Sequence, residues 1–394
     1  LEQTIATRPA TLRQCAILAA GRATGVEVGG RPLVAWLMRE MLRFGVDEFL
    51  FLTEQLPRAV EHAVLAAAAM LPRRVAVSFS EQPHRAGTGG ALWHAAAQLH
   101  PRFLLCNGDS LFDCNIAALL CDFAKDGPDV LARMVVREGA PTAGRGIVTM
   151  VGDGSDAAAA SGAGRINAGI YALDRRLLDS LSPSCSLECD LLPLLARGGR
   201  LRATVLHGWL VKFEAPADLA RAHSEISAAL HRRALFLDRD GVLNHDHGYV
   251  ASVDRWDWVD GARAAVAAAT AAGWHVFVVT NQSGVARGLN GEAEVEALLG
   301  WLADELRRAG GTLDDWRYCP YLVDGTLDAY RRDSDWRKPG PGMLNDLLRV
   351  WELNPARCVM IGDKPSDMQA AAAAGMRGVL FDGGNLLDTV RGLL

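Results

Sequence analysis

Short apolar runs alternate with stretches of helical periodicity along most of this chain. Cys15-Ala16-Ile17-Leu18 reads as a first strand entering a small-residue turn over Ala19–Gly25. Apolar positions then recur at helical spacing from Leu33 to Phe44, and Asp47–Leu52 is strand-like again. The alternation continues with a strand over Val75–Ser80, a helix over Gly90–Leu99 and a strand over Phe103–Cys106. Such alternation predicts a sheet of largely parallel strands covered by helices. From Met150 to Gly164 the chain turns to Gly, Ala, Ser and Asp, which predicts a loop. A strand over Ile166–Ala172 follows, and Leu219–Arg233 reads as a helix with a basic end.

A second α/β pattern begins at Ala234. Its expected strands are Ala234–Leu237, His275–Thr280 and Cys358–Ile361, and its expected helices Gly261–Ala272, Glu292–Ala309 and Gly342–Val350. The boundary falls near residues 226–233, so the expected domains are 1–228 and 234–394. The length of 394 residues agrees with two or three domains at roughly 100–200 residues each.

Composition changes this picture only by exclusion. Half of the residues are hydrophobic and the net charge is −5, which supports packed cores and argues against a general nucleic-acid binder. No apolar run approaches the ~20 residues of a membrane span. The apolar stretch Cys15–Ala20 has no cleavage-type segment after it, so no secretory leader is expected. The 8 cysteines are scattered without a C-x-x-C pair, which fits a reducing cytoplasm better than a disulfide framework. Self-association is left open.

The chemistry concentrates in the second pattern, where four signals occur in order. Leu235-Phe236-Leu237-Asp238-Arg239-Asp240-Gly241-Val242 delivers an aspartate at the end of an apolar strand, followed by a glycine turn. Val278-Val279-Thr280-Asn281-Gln282-Ser283-Gly284 ends a second strand in hydroxyl and amide groups. Arg337-Lys338-Pro339-Gly340-Pro341-Gly342-Met343 holds a cation in a rigid turn. Val359-Met360-Ile361-Gly362-Asp363-Lys364-Pro365-Ser366-Asp367 ends a third strand in a carboxylate. Ligands of doubly wound sheets sit outside such strand ends.

These residue types suit magnesium-dependent phosphoryl transfer. A phosphate dianion repels a carboxylate nucleophile unless Mg²⁺ and fixed cations neutralise it. Asp238 is the expected nucleophile and Asp240 the acid and base. Thr280 would bond the phosphoryl oxygens and Lys338 would neutralise them. Asp238, the backbone carbonyl of Asp240, and Asp363 would hold Mg²⁺.

These motifs resemble the haloacid-dehalogenase superfamily over residues 234–394. More narrowly, Asp238-Arg239-Asp240-Gly241-Val242-Leu243-Asn244, His247-Gly248-Tyr249-Val250, Thr280–Gly288 and Arg337–Met343 are similar to heptose 1,7-bisphosphate 7-phosphatases and histidinol-phosphate phosphatases. The resemblance implies removal of the 7-phosphate of a D-glycero-D-manno-heptose bisphosphate, in the supply of activated heptose for surface polysaccharide. Histidinol phosphate or another small sugar phosphate is the alternative substrate. Arg287, Arg337 and Lys364 become candidates for the second phosphate or the sugar, with Asn281 and Ser283 also placed at the substrate. One departure stands out. Where that family carries a zinc loop of the form C-P-H…C-x-C-R-K-P, this chain has Cys319-Pro320-Tyr321 and then Ser334-Asp335-Trp336-Arg337-Lys338-Pro339. A structural zinc needs four ligands, so no zinc is expected, with Tyr321 and Trp336 packing the loop instead.

Before residue 226, Ala16–Gly25 with Gly29–Leu33, Glu81-Gln82-Pro83 with Ala86–Leu92, Leu104–Ser110 and Asn167–Tyr171 resemble sugar-phosphate nucleotidyltransferases. The resemblance implies a Rossmann-like mixed sheet and a site at Gly21, Gly87, Thr88, Gly89 and Asp109. The family's lysine-bearing loop is shortened here, with only Arg22 and Arg31 to substitute, and the second metal aspartate falls at Lys212. Two readings stay open: an active transferase, to which a nucleotide would bind, and a degenerate fold kept for stability, assembly or sugar-phosphate binding. The missing charges favour the degenerate one. The expected whole is two α/β domains, the second a haloacid-dehalogenase-like Rossmannoid.

Overall fold

In a computed structural model the chain is described over residues 12–19, 26–54, 58–138, 148–151, 156–159, 165–213, 218, 220, 222, 226 and 231–394. Two compact units emerge, Leu1–Ala229 and Leu230–Leu394.

The described part of the first unit is built on a nine-stranded sheet. Ala76–Glu81, Glu48–Thr53, Gln14–Leu18 and Arg102–Asn107 run parallel side by side. Arg165–Asp174 then pairs antiparallel with Arg102–Asn107 on one side and with Ala132–Glu138 on the other. The sheet is therefore mixed. All five positions of Gln14–Leu18 are buried, because the strand is paired on both sides and its alternate residues enter two separate hydrophobic cores, Cys15 and Ile17 one and Ala16 and Leu18 the other.

Two expectations change here. Asp156–Ala159, inside the stretch read as a loop, forms a strand paired antiparallel with Val148–Val151. Small residues carry little packing signal, so backbone pairing at a sheet edge is invisible in their composition. The helix expected over 219–233 falls mostly outside the described residues; residues 220, 222 and 226 are helical, but His231, Arg232 and Arg233 are not. Gly21, Arg22 and the rest of the short loop also lie outside the described residues.

The second unit carries a parallel five-stranded sheet in the order Asp315–Cys319, His275–Asn281, Ala234–Leu237, Cys358–Gly362, Arg377–Leu380. Ala234–Leu237 is central and buried on both faces, as a continuous apolar run requires. The helix Glu292–Arg308 buries Val295, Leu298, Leu299, Leu302 and Leu306, spaced as one helical stripe. Each such side chain contributes roughly 1.5–3 kcal/mol when fully buried. The helices Ala262–Ala271 and Gly342–Val350 match their expected spans.

The strands Asp315–Cys319 and Arg377–Leu380, and the helices Pro365–Ala373 and Leu386–Arg391, were not legible. Asp315-Trp316-Arg317-Tyr318-Cys319 lacks an apolar run because polar pairing holds it: Arg317 bonds Asp346 at 2.7 Å and Trp351 donates to Asp315 at 3.1 Å. All eight cysteines are free thiols. No helix among the described residues is long and apolar enough to cross a membrane.

Candidate active site

Register alone assembles the centre of the site. Leu237 lies opposite Val278 on one side and Ile361 on the other, so the chain leaves the sheet at Asp238 between the ends bearing Thr280 and Asp363. The N–H of Asp238 still donates to Ile361 O at 3.0 Å, which fixes where its side chain begins. Gly241, at φ 89°, turns the chain back, and a Cβ there would stand 2.3 Å from Asp363 Oδ2. Gly241→Ala should therefore both strain the turn and displace Asp363. A loss of about a hundredfold in turnover is expected, of the size seen when supporting residues are moved by an ångström. Steady-state kinetics with an intact circular-dichroism spectrum would check it.

Three carboxylates gather here. One oxygen each from Asp238, Asp363 and Asp367 lies within 4.8 Å of the others. Asp363 Oδ1 is buried without a hydrogen-bond donor, an arrangement that costs free energy unless a cation fills it. Burial pushes the carboxyl of Asp238 up from 3.8 to about 6; Lys338 opposes the rise, and Asp367 and Asp240 add to it. Burial also raises Asp363, against the pull of Lys364. A set of clustered, hard, partly unsatisfied oxygens fits Mg²⁺.

Lys338 is buried and bridges this cluster. Its ammonium lies 2.8 Å from Asp238 Oδ1 and 2.6 Å from Asp367 Oδ1, and donates to Val279 O at 3.0 Å. Asn281 holds the lysine's backbone from both sides, its amide donating to Lys338 O at 3.1 Å and accepting from Lys338 N at 3.1 Å. Asn281, expected at the substrate, thus has its side chain engaged in placing Lys338. Asp367 also accepts from Lys364 N at 3.0 Å, capping the helix Pro365–Ala373.

Asp240 has a different set of partners. Its carboxylate accepts from Arg239 through Nε and Nη2 at 2.8–3.1 Å, from Asn244 at 3.0 Å and from Gln282 at 3.1 Å. Arg239 is fully buried, and its Nη2 also donates to Val250 O at 2.7 Å.

A cleft of about 600 Å³ opens over these groups, lined by Asp238, Asp240, Thr280, Asn281, Ser283, Arg337, Lys338 and Lys364 among others. Lys364 pairs with Asp246 at 3.1 Å. Burial alone would lower its pKa, but the Asp246 hydrogen bond and the charges of Asp363, Asp246 and Asp238 raise it. Arg287 is exposed and stands outside the residues lining the cleft. Asp367, Gln282, Asn244, Arg239 and Asp246 were missed as site residues. Asp367 had a signal, four residues after Asp363 and near the start of a proline-led helix.

The segment from Cys319 to Trp336 is tied by ring and polar contacts. Arg332 lies 3.7 Å over the Tyr321 ring, which meets Tyr330 at 6.2 Å. Tyr330 and Tyr318 each donate to Glu292 at 2.7 Å, and Trp336 lies against Gly342. The Cys319 thiol is buried, which raises its pKa.

In the first unit, Gly87 takes φ 78° and a Cβ on it would be 2.5 Å from Cys185 O. Gly89 and Gly90 donate their N–H groups to that carbonyl at 2.9 and 3.1 Å. Thr88 donates to Glu188 at 2.7 Å and accepts from Leu187 N at 2.8 Å. Asp109 follows the strand Arg102–Asn107, and Phe213 N donates to its carbonyl at 2.8 Å. Lys212 stands opposite Ser110 in the short pairing of Trp209–Lys212 with Ser110–Asp113. Thr53 Oγ1, Gln82 Oε1 and Asn107 Oδ1 are buried without partners, all at the carboxyl ends of adjacent or near-adjacent parallel strands.

The parallel sheet with carboxylates at its strand ends agrees with a family model, described as HAD-hydrolase-like, that matches residues 335–389. The second unit is a phosphomonoester hydrolase of the haloacid-dehalogenase-like class. The D-glycero-beta-D-manno-heptose-1,7-bisphosphate 7-phosphatase of Rhodopseudomonas palustris (strain ATCC BAA-98 / CGA009) is 50% identical over 157 residues, spanning 40% of this chain and 87% of that protein. The chain belongs to the heptose-1,7-bisphosphate 7-phosphatase family. Among solved structures, the D,D-heptose 1.7-bisphosphate phosphatase from B. bronchiseptica, complexed with magnesium and phosphate, is 37% identical, with a TM-score of 0.35 over 40% of this chain and 86% of its own. HddC from Yersinia pseudotuberculosis is 21% identical, with a TM-score of 0.46 over 55% of this chain and 100% of its own.

Proposed function

We propose that the second unit removes the 7-phosphate of D-glycero-D-manno-heptose 1,7-bisphosphate through an aspartyl-phosphate on Asp238. The observation that carries this reading is the buried Asp238, bridged by Lys338 and set beside an unsatisfied Asp363 oxygen. Asp238 attacks phosphorus as the bond to the sugar oxygen breaks, and Asp240 gives its proton to that oxygen. Water then attacks the aspartyl-phosphate, Asp240 takes the water proton, and Asp238 and inorganic phosphate separate. Thr280 donates to a phosphoryl oxygen, and Lys338 neutralises the equatorial charge. Asp238, Asp363 and the Asp240 carbonyl would hold Mg²⁺ directly, with Asp367 completing the charge of the cluster. When bound, the ion supplies charge neutralisation that lets a carboxylate meet a phosphate dianion. Arg337 and Lys364, cations on the cleft wall, suit the second phosphate.

Phosphate release from heptose 1,7-bisphosphate, histidinol phosphate and other sugar phosphates, with Mg²⁺ and with or without a zinc chelator, tests the substrate. Preferred, chelator-insensitive turnover of the heptose bisphosphate is expected. Preference for another phosphate would discard that substrate while keeping the mechanism.

Proton linkage gives a separate test of the metal. Asp238 has a folded pKa raised to about 6, so the folded protein holds a proton that the unfolded chain releases near 4. Without metal, stability therefore falls as pH rises through that window. Below pH ~6, Mg²⁺ must displace the proton, and its apparent affinity should weaken about tenfold per pH unit. Thermal-shift titrations at about pH 5 and pH 7.5 would read this directly. Equal affinity at both would sink the assignment of Asp238 as a ligand.

For the first unit we favour a degenerate transferase fold. Lys212 occupies the strand beside the Asp109 turn, where a second carboxylate would be needed to share a metal. The unpartnered oxygens of Thr53, Gln82 and Asn107 nonetheless favour retained binding of a small polar ligand. A Mg²⁺-dependent thermal shift with nucleoside triphosphates would instead support an active transferase.

A further inference from the structure

Asp240 and Thr280 are separate parts of the proposed chemistry, one handling the leaving-group proton and the other binding the phosphoryl group. A single nitrogen joins them. Gln282 Nε2 lies 3.1 Å from Asp240 Oδ2 and 2.9 Å from Thr280 Oγ1. Asp240 Oδ2 also accepts from Arg239 Nε and Nη2, so it is an acceptor here, which places the amide nitrogen rather than its oxygen at this position. Both amide hydrogens are then committed, one to each partner. Because Thr280 Oγ1 accepts from Gln282, the threonine's own hydrogen is left to point away from the amide.

The other donors to Asp240 are each tied to a backbone carbonyl as well. Arg239 is fully buried and anchored on Val250 O. Asn244 is fully buried and also donates to His245 O at 2.9 Å. Gln282, although itself buried, lines the cleft beside Asp240, Thr280 and Asp238. Its backbone is pinned independently, since Gln282 N donates to Cys319 O at 2.8 Å. The amide is therefore presented from a fixed point on the strand end.

We infer that Gln282 is a positioning residue of the phosphatase site, whose amide aims the Asp240 carboxylate at the leaving oxygen and the Thr280 hydroxyl at the phosphoryl group. The inference rests on the acid–base role proposed above for Asp240. It requires no group beyond those in the chain. Proton transfer stays between Asp240 and the leaving oxygen, and Gln282 neither gains nor loses a proton.

The role predicts a dependence on the leaving group. Protonation matters for a sugar alkoxide and hardly at all for 4-nitrophenolate, which leaves unaided. Gln282→Met keeps the length of the side chain and removes the amide, and Gln282→Asn keeps the amide but withdraws it from reach. Both variants should lose about thirtyfold in kcat on a sugar phosphate with KM nearly unchanged, short of the roughly 10²–10⁴-fold of losing a general acid outright, because Asp240 itself remains. On 4-nitrophenyl phosphate the loss should be about threefold, the share belonging to Thr280. Retained turnover of the aryl ester also shows that the variant is folded.

Equal losses on both substrates in both variants, or no loss in either, would overturn the role of Gln282. Asp240→Asn, measured alongside, separates this failure from that of the underlying reading. If Asp240→Asn is selective for the sugar phosphate and the Gln282 variants are not, only Gln282 is misassigned. If Asp240→Asn itself slows both substrates equally, the acid role fails and the inference falls with it.

Discussion

Asp238→Asn is expected to release no phosphate above background, a loss of at least roughly ten-thousand-fold in kcat on any monoester, as for other removed nucleophiles. The argument is geometric. Asp238 alone stands at the end of the central strand, with its N–H fixed on Ile361 O and its Oδ1 accepting from Arg239 N at 2.7 Å and facing Lys338. An amide of the same shape can keep those contacts through its oxygen but cannot attack phosphorus. Stability should behave in the opposite way to activity. Burial disfavours the charge on Asp238, so near pH 7.5 a neutral amide relieves a cost that the wild type carries without metal. The melting temperature of the metal-free variant should therefore match or exceed that of the wild type, while its stabilisation by Mg²⁺ should largely vanish. Measurable single-turnover phosphate release by a pure Asp238→Asn protein would sink the covalent mechanism.

The contrast between activity and stability shows which parts of the site a sequence can display. Asp238, Thr280 and Asp363 were legible because each closes or follows a run whose burial is written in its residue types, such as Leu235-Phe236-Leu237, and Lys338 because it stands before Pro339 in a turn of prolines and glycines. Asp367, Gln282, Asn244 and Arg239 were in view inside the same motifs. Their importance lies in which partner they reach, and that is set by register and side-chain direction. Asn281 shows the reverse: its polar type suggested substrate contact, but the fold aims its amide at the backbone of Lys338. The same limit governed the fold. Buried strands announced themselves, whereas the polar Asp315–Cys319 and the small-residue Asp156–Ala159 depend on neighbours distant in sequence. In the first unit, the Gly87–Gly90 segment was recognised by its glycines, but its commitment to Cys185 O was not, since that partner is nearly a hundred residues away.

Lys338→Met should lose about a thousandfold in turnover, comparable to removing a main charge-stabilising donor, and should also destabilise the fold in a pH-dependent way. The lysine is the cation within reach of both Asp238 and Asp367, at 2.8 and 2.6 Å, and all three groups are buried. Removing one member of a buried ion pair costs about 3–5 kcal/mol when the remaining charge stays. Here the remaining charges can be discharged by protons. Lys338 is the largest influence holding Asp238 down against the effect of burial, so its removal sends the carboxyl higher still. A carboxyl whose folded pKa lies above its unfolded value binds a proton more tightly in the folded state. Stability then rises as pH falls through the folded pKa. The deficit of Lys338→Met relative to wild type should be large near pH 8 and shrink toward pH 5. Lys338→Arg should recover little, because a planar guanidinium cannot take the place of a compact ammonium among three close oxygens. Denaturant unfolding of wild type and variant across that range measures the effect. A deficit independent of pH would mean that Lys338 is held by packing, with its charge incidental to the fold.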